Sequence, residues 1–292
     1  MDIATTTTDS QQLFNSLQLS SFEPIKKIKK RFNCKLCGRK RMYFCYNCRI
    51  YIENVGDFVP KVKLPFNVDI IKHRLERDGK STAVHAVLLA PEQTKIFDNF
   101  VDVPDYELRP GTVILCPSKY SIPINQYLLT NGNINNLIVL DSTWNTIGTL
   151  KSLPQLNKLP WIHLSNYSTE YWRPQKGLSS EYLATIEAIY FACKEYYIAT
   201  NGINNNFNEN SFDNLLFCFF YKIQESASST GIISIGKNNM ECFKNNSFVV
   251  GKALNNYVFE QKRFVVHDPL TKRIVEDRIM LVLNLFDKID ND

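Results

Sequence analysis

The sequence predicts an α/β protein built on a mostly parallel sheet, with a small four-cysteine module in front of it. Three observations predict this. Short apolar runs stop abruptly at turn residues, a helical period takes over further along, and four cysteines fall into two CxxC pairs near the N-terminus.

The strands come first. Thr112–Cys116 (TVILC) ends before Pro117, and Leu137–Leu140 (LIVL) ends at Asp141. Apolar runs without alternation suit strands covered on both faces, as in a parallel sheet. Residues 161–164 read as a third strand. Pro60, Pro65, Pro91, Pro104, Pro110 and Pro117 keep the segments of the first half short. Leu183, Ile186, Ile189, Tyr190 and Cys193 then recur at helical spacing, with a start expected at 179–181. Residues 214–223 (NLLFCFFYKI) read as a buried helix. The Asn-rich stretches 201–210 and 239–246 read as loops. Four segments are expected: a disordered polar and basic arm over 1–29, a four-cysteine zinc module over 30–54, the main α/β domain over 55–228, and a C-terminal extension over 229–292.

The chain has 292 residues, 44% hydrophobic and 22% charged, which excludes wholesale disorder and a coiled-coil rod. No run of 18 apolar residues occurs, so no membrane partner is expected. The first residues lack the basic-then-apolar order of a secretory signal. A nuclear or cytoplasmic location follows as an expectation, and with it reduced thiols.

Cys34, Cys37, Cys45 and Cys48 form two knuckles separated by seven residues. A two-residue gap turns both sulfurs of a knuckle toward one ion, so four thiolates are expected to hold a structural Zn²⁺. Cys116, Cys193, Cys218 and Cys242 stand singly in apolar settings and read as buried small hydrophobes. Ten bases and no acid lie between Lys26 and Arg49, among them Lys29, Lys30, Arg31, Arg39, Lys40 and Arg41. The 24 bases elsewhere face all 29 acids, so the rest of the chain is net negative. One concentrated basic segment points to a polyanion gripped at one place. Tyr43, Phe44 and Tyr46 share the segment, either as stacking surfaces for unpaired RNA bases or as the module's own core.

Asp141, Ser142, Thr143 and Trp144 follow the LIVL strand directly. Ligands of open α/β sheets bind beyond the carboxyl ends of strands. Asp and Ser after a strand are equally the ordinary cap of the next helix. Both readings stand on the residues alone. Phosphate-cradling glycine loops and the common hydrolase signatures are absent, which argues against a nucleoside triphosphatase.

The Asp141–Trp144 run resembles the motif that names the DTW-domain family. The resemblance extends to the CxxC pairs with their basic loop, to 66–91 around His73, Lys80, Ser81 and Thr82, to the aromatic–Arg stretch 171–176, and to the Thr185-x-Glu187-Ala188 helix. It is most specific for the eukaryotic tRNA-uridine aminocarboxypropyltransferase subfamily and covers about 30–225. It departs at Arg74, where the family commonly has proline or a small residue. The resemblance implies a SPOUT-like fold and S-adenosyl-L-methionine as donor of a 3-amino-3-carboxypropyl group. The acceptor would be N3 of a uridine in tRNA, with methylthioadenosine released and no DNA partner. It casts Asp141, Ser142, Thr143 and Trp144 as catalytic, Asp141 as base or as ligand of the donor. Lys80, Thr82, Arg173 and Glu187 become donor-binding residues. A non-catalytic zinc RNA-binding protein and a methyltransferase of the same fold are the alternatives.

Overall fold

A computed structural model describes residues 16–143, 146–169, 182–200, 207–208 and 210–222. The chain divides into two compact units, 1–222 and 223–292. The described residues all belong to the first, so the expected extension over 229–292 lies outside them.

Two small hairpins open the molecule. β1 (Phe32–Asn33) pairs antiparallel with β2 (Lys40–Arg41), and β3 (Phe44–Cys45) with β4 (Ile50–Tyr51). The main sheet follows, built from β5 (Asn67–Lys72), β6 (Thr94–Phe97), β7 (Thr112–Leu115), β8 (Ile122–Pro123), β9 (Asn136–Asp141) and β10 (Trp161–His163). Its order is β6-β5-β9-β7-β10-β8, and every pairing is parallel. All six residues of β9 and the last five of β5 are buried, which is why β9 reads as a continuous apolar run. Their register sets Lys72 opposite Asp141. The carboxyl ends of the strands therefore meet at one edge.

Side chains alternate along β9. Ile138 and Leu140 join a core with Ile71, Ile114, Leu150 and Leu156, the last two from α4 (Ile147–Lys151) and the turn after it. Asp141 belongs to the opposite alternation. Against that set packs α5 (Thr185–Ala199), buried almost all round, while α2 (Ala83–Leu89) packs on α5 and β6. α3 (Ile124–Asn131) follows β8 and packs on α5. Residues 217–222 are helical, as expected from the apolar run.

One expectation needs correction. The polar arm reads as disordered to residue 29, yet Leu17, Phe22 and Ile25 are buried, the last on the short helix α1 (Glu23–Lys26). Asp213 accepts the Gln18 N–H at 2.8 Å, and Asn214 accepts that of Ser20 at 2.9 Å. The Phe22 and Phe217 ring centroids lie 4.7 Å apart. Sparse apolar residues in a polar stretch offer no period to read, and their partners lie nearly 200 residues away.

Candidate active site and metal centre

Each CxxC pair sits at a hairpin tip: Cys34 and Cys37 between β1 and β2, Cys45 at the end of β3 and Cys48 in the turn to β4. The four Sγ atoms lie within 4.8 Å of one another, with Cys37 and Cys45 3.6 Å apart. Tetrahedral Zn–S bonds of about 2.3 Å require sulfurs about 3.8 Å apart, so the cluster has the right size for such an ion. Backbone N–H groups of Cys37 and Leu36 point at the Cys34 sulfur and hold its pKa down to about 6. Those of Cys48 and Asn47 do the same for Cys45, lowering its pKa against the opposing effect of burial. Cys48 is pushed up to about 12, chiefly by its neighbour Cys37 and by burial. Four thiolates this close repel one another, and a bound cation removes that penalty.

The residue after each knuckle takes a left-handed conformation: Gly38 at φ 69° and Arg49 at φ 57°. Glycine meets this demand freely, whereas arginine is strained there by about 1 kcal/mol. Arg49 is instead anchored by Asp98 at the end of β6, and Asp98 also pairs with the buried Lys72 at 3.3 Å. The module is thus tied to the sheet beside Asp141.

Phe44 and Tyr43 of the basic segment pack inward, whereas half-buried Tyr46 lines an open cleft. Phe44 is buried with its ring edge-on to His85, and the Tyr43 hydroxyl meets that of Tyr221 at 3.0 Å. Tyr46 carries the Arg41 guanidinium 4.1 Å above its ring and backs onto Gly79. Lys29, Lys30, Arg31, Arg39 and Lys40 are exposed, with Lys30 lying over Phe32; Arg41 is half-buried.

Asp141 does not cap a helix. α4 starts only at Ile147, and no hydrogen bond of its first turn reaches Asp141. The carboxylate is 4% exposed and takes two hydroxyl donors from distant segments. Ser81, just before α2, donates to Oδ2 at 2.7 Å, and Thr185, the first residue of α5, donates to Oδ1. Burial raises the Asp141 pKa, opposed by these two hydrogen bonds and by the charge of Lys72. Half-buried Glu76 is raised too, by its own burial and then by the Asp141 carboxylate.

Beside this clamp, at the carboxyl ends of β7, β9 and β10, lies a cavity of about 610 Å³. That is ample for a nucleoside-sized ligand. Leu115, Val139 and Ile147 supply apolar wall; Ser142, His163 and Thr185 supply polar atoms. Among the described lining residues there is no Asp, Glu, Lys or Arg. Asp141 itself is not among the lining residues, but Thr185, which donates its hydroxyl to Asp141, is. Ser142 Oγ lies 2.6 Å from Thr146 Oγ1, and the exposed Thr143 hydroxyl is 2.8 Å from the same atom.

The other expected site residues divide. Thr82 is buried and accepts the Ile186 N–H at 3.1 Å, joining α2 to α5 away from the cavity lining. Glu187 is fully buried; its Oε2 accepts the Ala184 N–H at 2.7 Å and the Thr169 hydroxyl at 2.6 Å, fixing the start of α5. Lys80 is exposed on the turn before Ser81. Trp144 and Arg173, and the 179–181 helix start, lie outside the described residues. Sequence reasoning missed the partnership of Ser81 and Thr185 with Asp141, because a hydroxyl at a helix start reads locally as a cap.

A family model for the DTW domain matches residues 42–226. A protein named tRNA-uridine aminocarboxypropyltransferase 1 from Xenopus laevis is 33% identical over 263 residues, covering 75% of this chain and 89% of its own. Its Homo sapiens namesake is 32% identical over 279 residues, covering 80% and 90%. Among solved structures, the SAM-dependent rRNA:acp-transferase Tsr3 from Vulcanisaeta distributa overlaps 56% of this chain and 83% of its own at 17% identity; its TM-score of 0.34 is too low to carry an argument.

Proposed function

The chain belongs to the DTW-domain family, and from that premise we propose that it transfers the 3-amino-3-carboxypropyl group of S-adenosylmethionine to N3 of a uridine in tRNA. The observation that carries the reading is the Asp141 clamp. The motif aspartate closes the central strand beside a cavity of nucleoside size, and its hydrogen-bond donor Thr185 lines that cavity. The four-cysteine module is proposed to hold Zn²⁺ as a closed structural site.

S-adenosylmethionine, when bound, supplies an electrophilic carbon next to its sulfonium. The chain must place uridine N3 against that carbon and relieve N3 of its proton. A solvated aspartate, with a pKa of about 3.9, is a poor base for a uracil imide. Burial makes Asp141 more basic, but both its oxygens already accept hydrogen bonds. A relay satisfies both facts: Thr185 Oγ1 takes the N3 proton while its own proton passes to Asp141 Oδ1. Ser81 holds the other oxygen in place. Thr185→Val keeps the shape and removes the relay, whereas Thr185→Ser preserves it. Turnover of purified protein on unmodified tRNA should fall by about 10²–10⁴ in the first and survive in the second. Equal activity in both would rule the relay out.

A further inference from the structure

We infer that the cleft between the four-cysteine module and the turn after β5 is a seat for the phosphate backbone of RNA, with Arg74 and Arg77 reaching phosphates beside Arg39. The inference rests on the tRNA reading above for the identity of that RNA.

The cleft has a volume of about 450 Å³ and is open to solvent. Its two walls come from well-separated segments of the chain, and they are joined firmly. Arg41 stacks on Tyr46 at 4.1 Å and donates to Asn47 at 2.9 Å. Asn47 donates to Asp78 across the cleft at 2.6 Å, and Asp78 pairs with Lys72 at 3.0 Å. Those bonds account for the Asp78 and Lys72 charges and for the pose of Arg41. Arg39, Arg74 and Arg77 remain along the rim against the one carboxyl of half-buried Glu76, and among the described residues none of the three arginines forms an ion pair. Guanidinium groups on a rigid rim suit phosphate oxygens. Arg41 already lies over the Tyr46 ring, so the cleft offers chiefly charge. This gives Arg74, the departure from the family pattern, a use. The same turn continues into Ser81, so RNA seated here lies against the segment that clamps Asp141.

The test is the salt dependence of binding between the full-length protein and an unmodified tRNA transcript. Each phosphate left without its cation should flatten the log–log slope by about 0.7–0.9. Arg74→Ala with Arg77→Ala should flatten it by about 1.4–1.8 and weaken binding about 10- to 50-fold near 0.1 M salt. The double Lys variant should keep the wild-type slope. Retained zinc and an unchanged melting temperature identify a folded variant. An unchanged slope in the double Ala variant overturns the inference, as does an equal loss in the Lys variant, which keeps the charge. Wild-type transfer assayed alongside separates the two readings. Transfer with an unchanged slope sinks the cleft alone; a flattened slope without transfer upholds the cleft and sinks the proposed reaction.

Discussion

The four-cysteine cluster and the Asp141 clamp are built in opposite ways. Four cysteines within fifteen residues make the first, and their spacing places their sulfurs within 4.8 Å. The second is made from Ser81, Asp141 and Thr185, which only the folded sheet brings together. A chelating knuckle is a local geometry and can be read from a line of sequence. A buried carboxylate with two remote donors is a property of topology, and locally Asp141 looks like a helix cap. The clamp exists only where the turn before α2, β9 and α5 meet.

Removing a metal ligand should do the most damage. Structural zinc contributes about 10–16 kcal/mol in small metal-folded peptides. Cys37→Ser should retain less than half an equivalent of zinc by elemental analysis and lose RNA affinity with it, since Arg39, Lys40 and Arg41 would lose their scaffold. Full metal content in this variant would show that the spacing misleads.

The clamp should respond differently, losing rate and not fold. Asp141→Asn keeps the size but cannot accept a proton, so turnover should drop by about 10²–10⁴. Burial raises the folded-state pKa of Asp141 above an unfolded value of about 3.9. Between those two values the native chain holds a proton that the unfolded chain has released, so stability falls as pH rises through the interval. The Asn variant escapes that cost and should melt at the wild-type temperature or above it at pH 7. Wild-type transfer should rise with pH across a midpoint above the usual carboxylate range. A variant that melts much lower would make Asp141 a structural residue first.

Smaller effects test the arm. Phe22→Ala should cost about 3–5 kcal/mol in chemical denaturation, because Phe22 is fully buried. Deleting residues 1–30 would therefore confound loss of charge with loss of core. Lys29→Ala with Lys30→Ala isolates the charge, and should flatten the tRNA salt slope by no more than about 1.8 while leaving stability within about 0.5 kcal/mol.

Legibility follows the same division. TVILC, LIVL and residues 161–164 prove to be β7, β9 and β10, because continuous apolar runs have few other uses. Strand β5, beside β9, is not legible from its residues: Asp69 and Lys72 interrupt its apolar run, and their partners, Tyr106, Asp78 and Asp98, lie on other segments. The knuckles are legible to the residue. Thr82 and Glu187 Oε2 take part in joining and fixing helices, contacts that no spacing encodes.

The most direct test of the proposed transfer follows two labels in one reaction. Purified protein is incubated with unmodified tRNA and S-adenosylmethionine labelled in its carboxyl group or in its methyl group. The expected result is carboxyl label in a uridine nucleoside, no methyl label in tRNA, and loss of the signal in Asp141→Asn. Methyl label in the tRNA would establish a methyltransferase instead, and neither label entering would leave a zinc-dependent RNA-binding protein.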